Sequence, residues 1–136
     1  MKRKKQLRCS YCGRPATLKP ASEVFHDPKR TGYVYVCSHF PACNAYVGVH
    51  PGTKIPMGTL ANPQLRRKRI EAHQAFDSIW KNGVMSRNQA YRWLSCTLCL
   101  TESQTHIAQF GDYMCDRVIE ESRKVLLQNH LRQQAA

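Results

Sequence analysis

Seven cysteines hold most of the chemistry available to this chain: Cys9, Cys12, Cys37, Cys43, Cys96, Cys99 and Cys115. Thiolates are soft ligands, and pairs of them at short spacing suit Zn²⁺. Cys9-Ser-Tyr-Cys12-Gly13 sets two sulfurs two residues apart with glycine next, so the backbone can turn tightly and aim its amides at the sulfurs. Cys37-Ser-His-Phe-Pro-Ala-Cys43 forms a second, wider knuckle. Together they read C-x2-C-x24-C-x5-C, the ligand set of one closed, tetrahedral, structural Zn²⁺. Four free buried thiols are the blander alternative, and two paired knuckles argue against it. His39 lies inside the second knuckle as a substitute ligand, although Cys9, Cys12, Cys37 and Cys43 already complete the shell.

A second set is weaker. Cys96-Thr-Leu-Cys99, with His106 and Cys115 downstream, offers four potential ligands for a second metal. No glycine turn accompanies this pair, and cysteines three apart on a helix also behave as small packing hydrophobes. Buried thiols are the default there. A catalytic site is not indicated. The nine acidic residues are scattered, and His26, His39, His50, His73, His106 and His130 show no nucleophile at triad-like spacing. His50 in VGVHPGT is the best lone candidate, with a loop-fixing hydrogen bond as its commoner explanation. The expectation is no enzyme.

These ligands need short elements to hold them. Strand-like runs cover Pro15–Lys19, Glu23–His26, Tyr33–Cys37 and Ala45–Val49, separated by Pro20 and the turn DPKRTG. About 55 residues of low apolar content would not hold a fold without the metal. HPGTKIPMGTLANP is a Pro/Gly-rich connector ending in Asn62-Pro63, a strong helix start. Leu65, Ala72, Phe76 and Ile79 recur at helical spacing, and Lys81-Asn82-Gly83 supplies a stop. Arg69 falls on the same stripe, which predicts that it packs or pairs internally. Ser86-x-x-Gln89 is a capping box, with Ala90, Trp93, Leu94 and Leu98 facing inward. Asp112 is placed as the cap of a third helix bearing Cys115, Val118, Ile119, Ser122 and Leu126, with Glu120 and Lys124 as an i,i+4 pair and a fraying tail.

The fold class is therefore small α+β: an N-terminal zinc ribbon with a four-cysteine site, followed by about three helices. The divisions are a basic tail over 1–8, the ribbon over 9–50, a linker over 51–62 and a helical unit over 63–132. The helical unit is expected to pack on the ribbon as one compact domain, sharing a core through Trp80 and Trp93.

Charge points to a partner. Lys and Arg total 21 against 9 Asp and Glu, a formal +12, or +10 once a tetrathiolate zinc is counted. Such an excess favours a polyanion, with nucleic acid the commonest. Lys2, Arg3, Lys4, Lys5 and Arg8 precede the first knuckle, and Arg14, Lys19, Lys29 and Arg30 lie in the ribbon, interleaved with Tyr11, Tyr33, Tyr35, Phe40 and Tyr46. Cations track phosphates while aromatic faces stack on unpaired bases. Strand alternation puts Tyr33 and Tyr35 on one side as a stacking platform; covering a thin core is the equal alternative. Arg66, Arg67 and Lys68 are further phosphate candidates. After MKRKKQLRC no signal-like apolar run follows, and no stretch approaches a membrane span. A cytoplasmic protein is expected.

The knuckles CSYCG and CSHFPAC resemble the C-terminal zinc ribbons of type IA DNA topoisomerases, a likeness that implies single-stranded DNA binding. More extensively, CSYCG, YVCSHFPACNAYVGVHPGT, MGTLAN, LRRKRIEAHQAFDSIWKNGVMSRNQAYRWL and THIAQF resemble a small zinc-finger-containing family of unknown function found in phages, prophages and bacteria. That resemblance strengthens the zinc assignment and makes a phage-derived protein one of its implications, with the host cytoplasm as the expected place if the chain is phage-encoded. Val49 stands where that family's pattern leads one to expect cysteine. The functional expectation is a zinc-stabilised nucleic-acid-binding accessory protein preferring single-stranded or unpaired DNA or RNA. The alternative is a protein-interaction module, such as a phage modulator of a host polymerase or defence protein.

Overall fold

A computed structural model of the chain describes residues 6–135. The expected phosphate contacts at Lys2, Arg3, Lys4 and Lys5 lie outside them. The chain divides into two compact units between Arg66 and Arg67.

The first unit is built on a three-stranded antiparallel sheet in the order β1 (Ala16–Pro20), β2 (Tyr33–Cys37), β3 (Tyr46–Gly48). Ala16 pairs with Cys37, Leu18 with Tyr35, and, on the other edge of β2, Tyr35 with Val47. Alternation along β2 buries Val34 and Val36, leaves Tyr33 exposed and half-buries Tyr35. The run expected as a strand over 23–26 is instead a helical turn, α1 (Ala21–Val24). Pro20, at φ −59°, has no amide with which to continue a ladder, and its ring seeds a turn that Ala21 and Glu23 accept readily. Isolated bridges Tyr46↔Ala61 and Val49↔Pro56 fasten the connector to the sheet. In this unit Cys9, Cys37, Ala45, Val47 and Leu60 are buried together in a cluster, with Leu7, Ala16, Tyr35 and Cys43 half-buried against them. Two of the four candidate ligands, Cys9 and Cys37, are therefore also core residues, and a third, Cys43, packs against them.

From Pro63 onward the helices follow their sequence signals closely. α2 (Pro63–Lys81) starts where Asn62 Oδ1 accepts the Leu65 amide at 2.9 Å. Leu65, Ala72, Phe76 and Ile79 are all buried. Arg69 is buried as its stripe predicts, and its Nε donates to the Phe110 carbonyl at 3.0 Å. α3 (Arg87–Leu98) opens on the Ser86–Gln89 capping box, both of whose hydrogen bonds are formed. It buries Ala90, Leu94 and Leu98 and ends at Cys99 in the left-handed region. Trp80 and Trp93 are only half-buried; the fully buried aromatic is Phe76, edge-on to Tyr91 with centroids 4.8 Å apart. α4 (Asp112–Ala135) takes Asp112 into its first turn rather than using it as a cap, because the Gly111 carbonyl already accepts the Cys115 amide. The tail continues as helix to Ala135 instead of fraying. Among the described residues no helix is long and apolar enough to cross a membrane.

Candidate metal centre

Each knuckle is shaped by its backbone before any metal is considered. In the first, the Gly13 amide donates to the Cys9 carbonyl at 2.9 Å while Gly13 sits at φ +75°, a conformation costly for a residue with a Cβ. In the second, Phe40 N–H donates to the Cys37 carbonyl and Cys43 N–H to the His39 carbonyl, and the His39 amide reaches Cys37 Sγ at 3.5 Å. These turns bring Cys9 Sγ to 3.6 Å from Cys43 Sγ and Cys12 Sγ to 3.4 Å from Cys37 Sγ. All four sulfurs lie within 4.8 Å of one another.

A tetrahedron with Zn–S arms of about 2.3 Å has edges of about 3.8 Å. Two of the separations are close to that edge and none exceeds 4.8 Å, so the four sulfurs fit around one Zn²⁺. As thiols, Cys12, Cys37 and Cys43 differ in acidity. The Arg14 backbone amide draws Cys12 down to about 6. Burial, reinforced by the neighbouring thiols, pushes Cys43 up to about 12, and burial raises Cys37. A dication shared by the four favours the thiolate at each, so binding releases protons and ties the core cluster to the metal. The side chain of His39 is not among the gathered ligands.

Among the described residues no second group of three or more such ligands gathers. Cys96 and Cys99 are exposed, Cys115 is buried, and His106 is exposed at the start of a 3-10 turn (Ile107–Gln109). Burial pushes the Cys115 thiol up to about 11.

The residues put forward as nucleic-acid contacts are arranged less uniformly than their sequence suggests. Arg8 and Arg14 are exposed, with Arg8 Nη1 donating to the Gly13 carbonyl. Tyr33 is exposed, but the Tyr35 hydroxyl donates to the Lys54 carbonyl at 2.7 Å and its ring packs on the core cluster. Phe40 is half-buried and edge-on to Tyr46. The Arg66 guanidinium donates to the Asn44 and Ala61 carbonyls and stacks on Tyr46 at 3.8 Å. Lys68 pairs with Asp116 at 3.0 Å and with Asp112 at 3.7 Å, while Arg67 is exposed. Tyr11 has a structural task as well, its hydroxyl accepting the Asn62 amide at the start of α2.

Sulfur geometry and sheet together define a zinc-binding protein with one structural metal. A family model described as a zinc-finger-containing domain matches residues 5–125, and the chain belongs to that family. No curated protein and no solved structure shows significant similarity to it.

Proposed function

We propose that the chain is a non-enzymatic, zinc-stabilised nucleic-acid-binding accessory protein that favours single-stranded or unpaired DNA or RNA. The uneven distribution of charge carries this reading. Eleven of the 21 Lys and Arg residues fall at or before Arg66, against only Glu23 and Asp27, so the first unit holds +9 of the +12. A tetrathiolate zinc leaves it strongly positive. The second unit sets ten bases against seven acids, and several are spent on one another, as in Arg123–Glu71, Arg117–Glu121 and Lys124–Glu120. In the first unit, Arg14, Lys19, Lys29, Arg30 and Lys54 are exposed and form no ion pair with the described residues. A sheet ordered by a metal thus presents solvated cations beside aromatic side chains, the combination that single strands use.

Fluorescence anisotropy with a labelled oligothymidylate and a matched duplex, at low and moderate salt, tests the proposal. Salt-sensitive binding that is tighter for the single strand supports it. Absence of binding to both at low salt removes it. A second reading rests on α4, where Leu127 and Leu131 are exposed at 59% and 54%. They suit an apolar contact in a protein-interaction module, for instance a phage-encoded modulator of a host polymerase or defence protein. A specific pull-down that survives nuclease and high salt supports that alternative.

A further inference from the structure

The sheet face that carries Val34, Val36, Tyr46 and Gly48 is hollow at one end. Val34 stands directly opposite Gly48, so the two share a face, and between them they form the floor of an open concavity of about 840 Å³. Its walls are Phe25, Tyr33, Tyr46 and Met57, and its exposed lining includes Arg30 and Lys54. The size is within the range of small-ligand sites, about 300–1,000 Å³. Gly48 is the last residue of β3 and brings no side chain to that floor. Here a Cβ added at Gly48 would meet nothing within 4 Å, so the missing side chain leaves open space in the floor.

The chemistry of the lining is two-fold. Phe25 and Tyr46 meet edge-on with centroids 5.2 Å apart, and Tyr33 is 42% exposed, so aromatic surface is available to a flat guest. The cations lie against these rings: Arg30 at 4.3 Å from the Phe25 centroid and Lys54 at 5.5 Å from that of Tyr33. None of the described lining residues is acidic. An apolar aliphatic guest would leave both charges without purpose, and a bare anion would leave the aromatic walls unused. A guest that joins a planar π-system to a nearby negative charge uses both.

We infer that this concavity seats one unpaired nucleobase of a bound strand, stacked among Phe25, Tyr33 and Tyr46, with its flanking phosphates on Arg30 and Lys54. The inference rests on the nucleic-acid reading above and goes beyond it by fixing the face and the pocket that take the base. It also moves the stacking surface away from Tyr35, whose ring and hydroxyl are committed to the fold.

The test uses the full zinc-loaded chain, an oligothymidylate carrying one 5-iodouracil, and a backbone-matched oligomer of abasic residues. Irradiation should crosslink the iodouracil to Phe25, Tyr33 or Tyr46, read by mass spectrometry of the digest. The abasic oligomer should bind about 5- to 150-fold more weakly, the loss expected for a stacked base. Gly48→Val places a branched side chain on the floor where the backbone is ordinary strand, and should bring oligothymidylate binding down to the abasic level with zinc content and salt slope unchanged. Should that variant lose zinc, Tyr33→Ala supplies the same comparison at an exposed position. Equal binding of the two oligomers, crosslinks confined to other residues, or wild-type affinity in a folded Gly48→Val overturns the pocket while leaving nucleic-acid binding intact. Failure of every oligomer to bind at low salt removes the nucleic-acid proposal itself, and the pocket with it. Saturation by a peptide bearing an aromatic next to a carboxylate, without displacement by oligothymidylate, also overturns the assignment.

Discussion

Neutralising the N-terminal cluster, Lys2, Arg3, Lys4 and Lys5 together to Gln, is the sharpest perturbation of the proposed function because its effect can be sized. Beyond that cluster, Arg8, Arg14, Lys19, Lys29, Arg30 and Lys54 are the exposed cations of the first unit. With the four N-terminal residues they set an upper limit of ten phosphate contacts. Each contact to a single strand contributes about −0.7 to the slope of log K against log salt, so with contacts confined to the first unit the intact protein reaches at most about −7 and the variant about −4. Between about 50 and 200 mM salt, the first loses about 10⁴-fold in affinity and the second about 10²·⁵-fold. Anisotropy titrations of both proteins across that range, with zinc content checked for each, give the two slopes directly. A variant whose slope equals that of the parent shows that the N-terminal charges do not touch phosphate. An affinity loss of the same factor at both salts shows that whatever was lost was not counterion release.

Other consequences follow from particular side chains. On the zinc-loaded protein, whose four knuckle sulfurs are held by the metal, iodoacetamide near pH 8 should label the exposed Cys96 and Cys99 first and spare Cys115, since a thiol raised to about 11 carries little thiolate there; prompt labelling of Cys115 would contradict its burial. Phe76→Ala removes a fully buried ring against Tyr91 and should destabilise the second unit by about 3–5 kcal/mol, read by urea denaturation with Trp80 and Trp93 fluorescence. A cost under about 1 kcal/mol would mean that the site is not packed as described. Ser122 is fully buried on α4 and its hydroxyl has no hydrogen-bond partner among the described residues, so Ser122→Ala should be neutral or stabilise by about 1 kcal/mol in the same assay. Clear destabilisation would reveal a partner for that oxygen.

Local signals were readable where one short stretch contains the whole cause. The two knuckles, the alternation over Tyr33–Cys37, the Asn62-Pro63 start and the Ser86–Gln89 box all act within a few residues, and each is formed. Arg69 was legible because helical phase alone puts it beside Leu65 and Ala72. What was not legible depends on distant partners. Tyr33 and Tyr35 look equivalent in TGYVYVC, yet a hydrogen bond to Lys54, nineteen residues on, commits only one of them. Lys68 is one of a basic run by sequence, and its pairing with Asp112 and Asp116 depends on how α4 is placed. Phe25, Lys54 and Gly48 come from three separate segments and meet only in the folded sheet.

The central claim is that the sulfurs of Cys9, Cys12, Cys37 and Cys43 share one zinc ion. Zinc K-edge absorption on the purified protein, combined with metal content per chain, tests it most directly. One zinc surrounded by four sulfur scatterers at about 2.3 Å is the predicted result. A folded protein without metal, or a zinc shell dominated by nitrogen and oxygen, would contradict it.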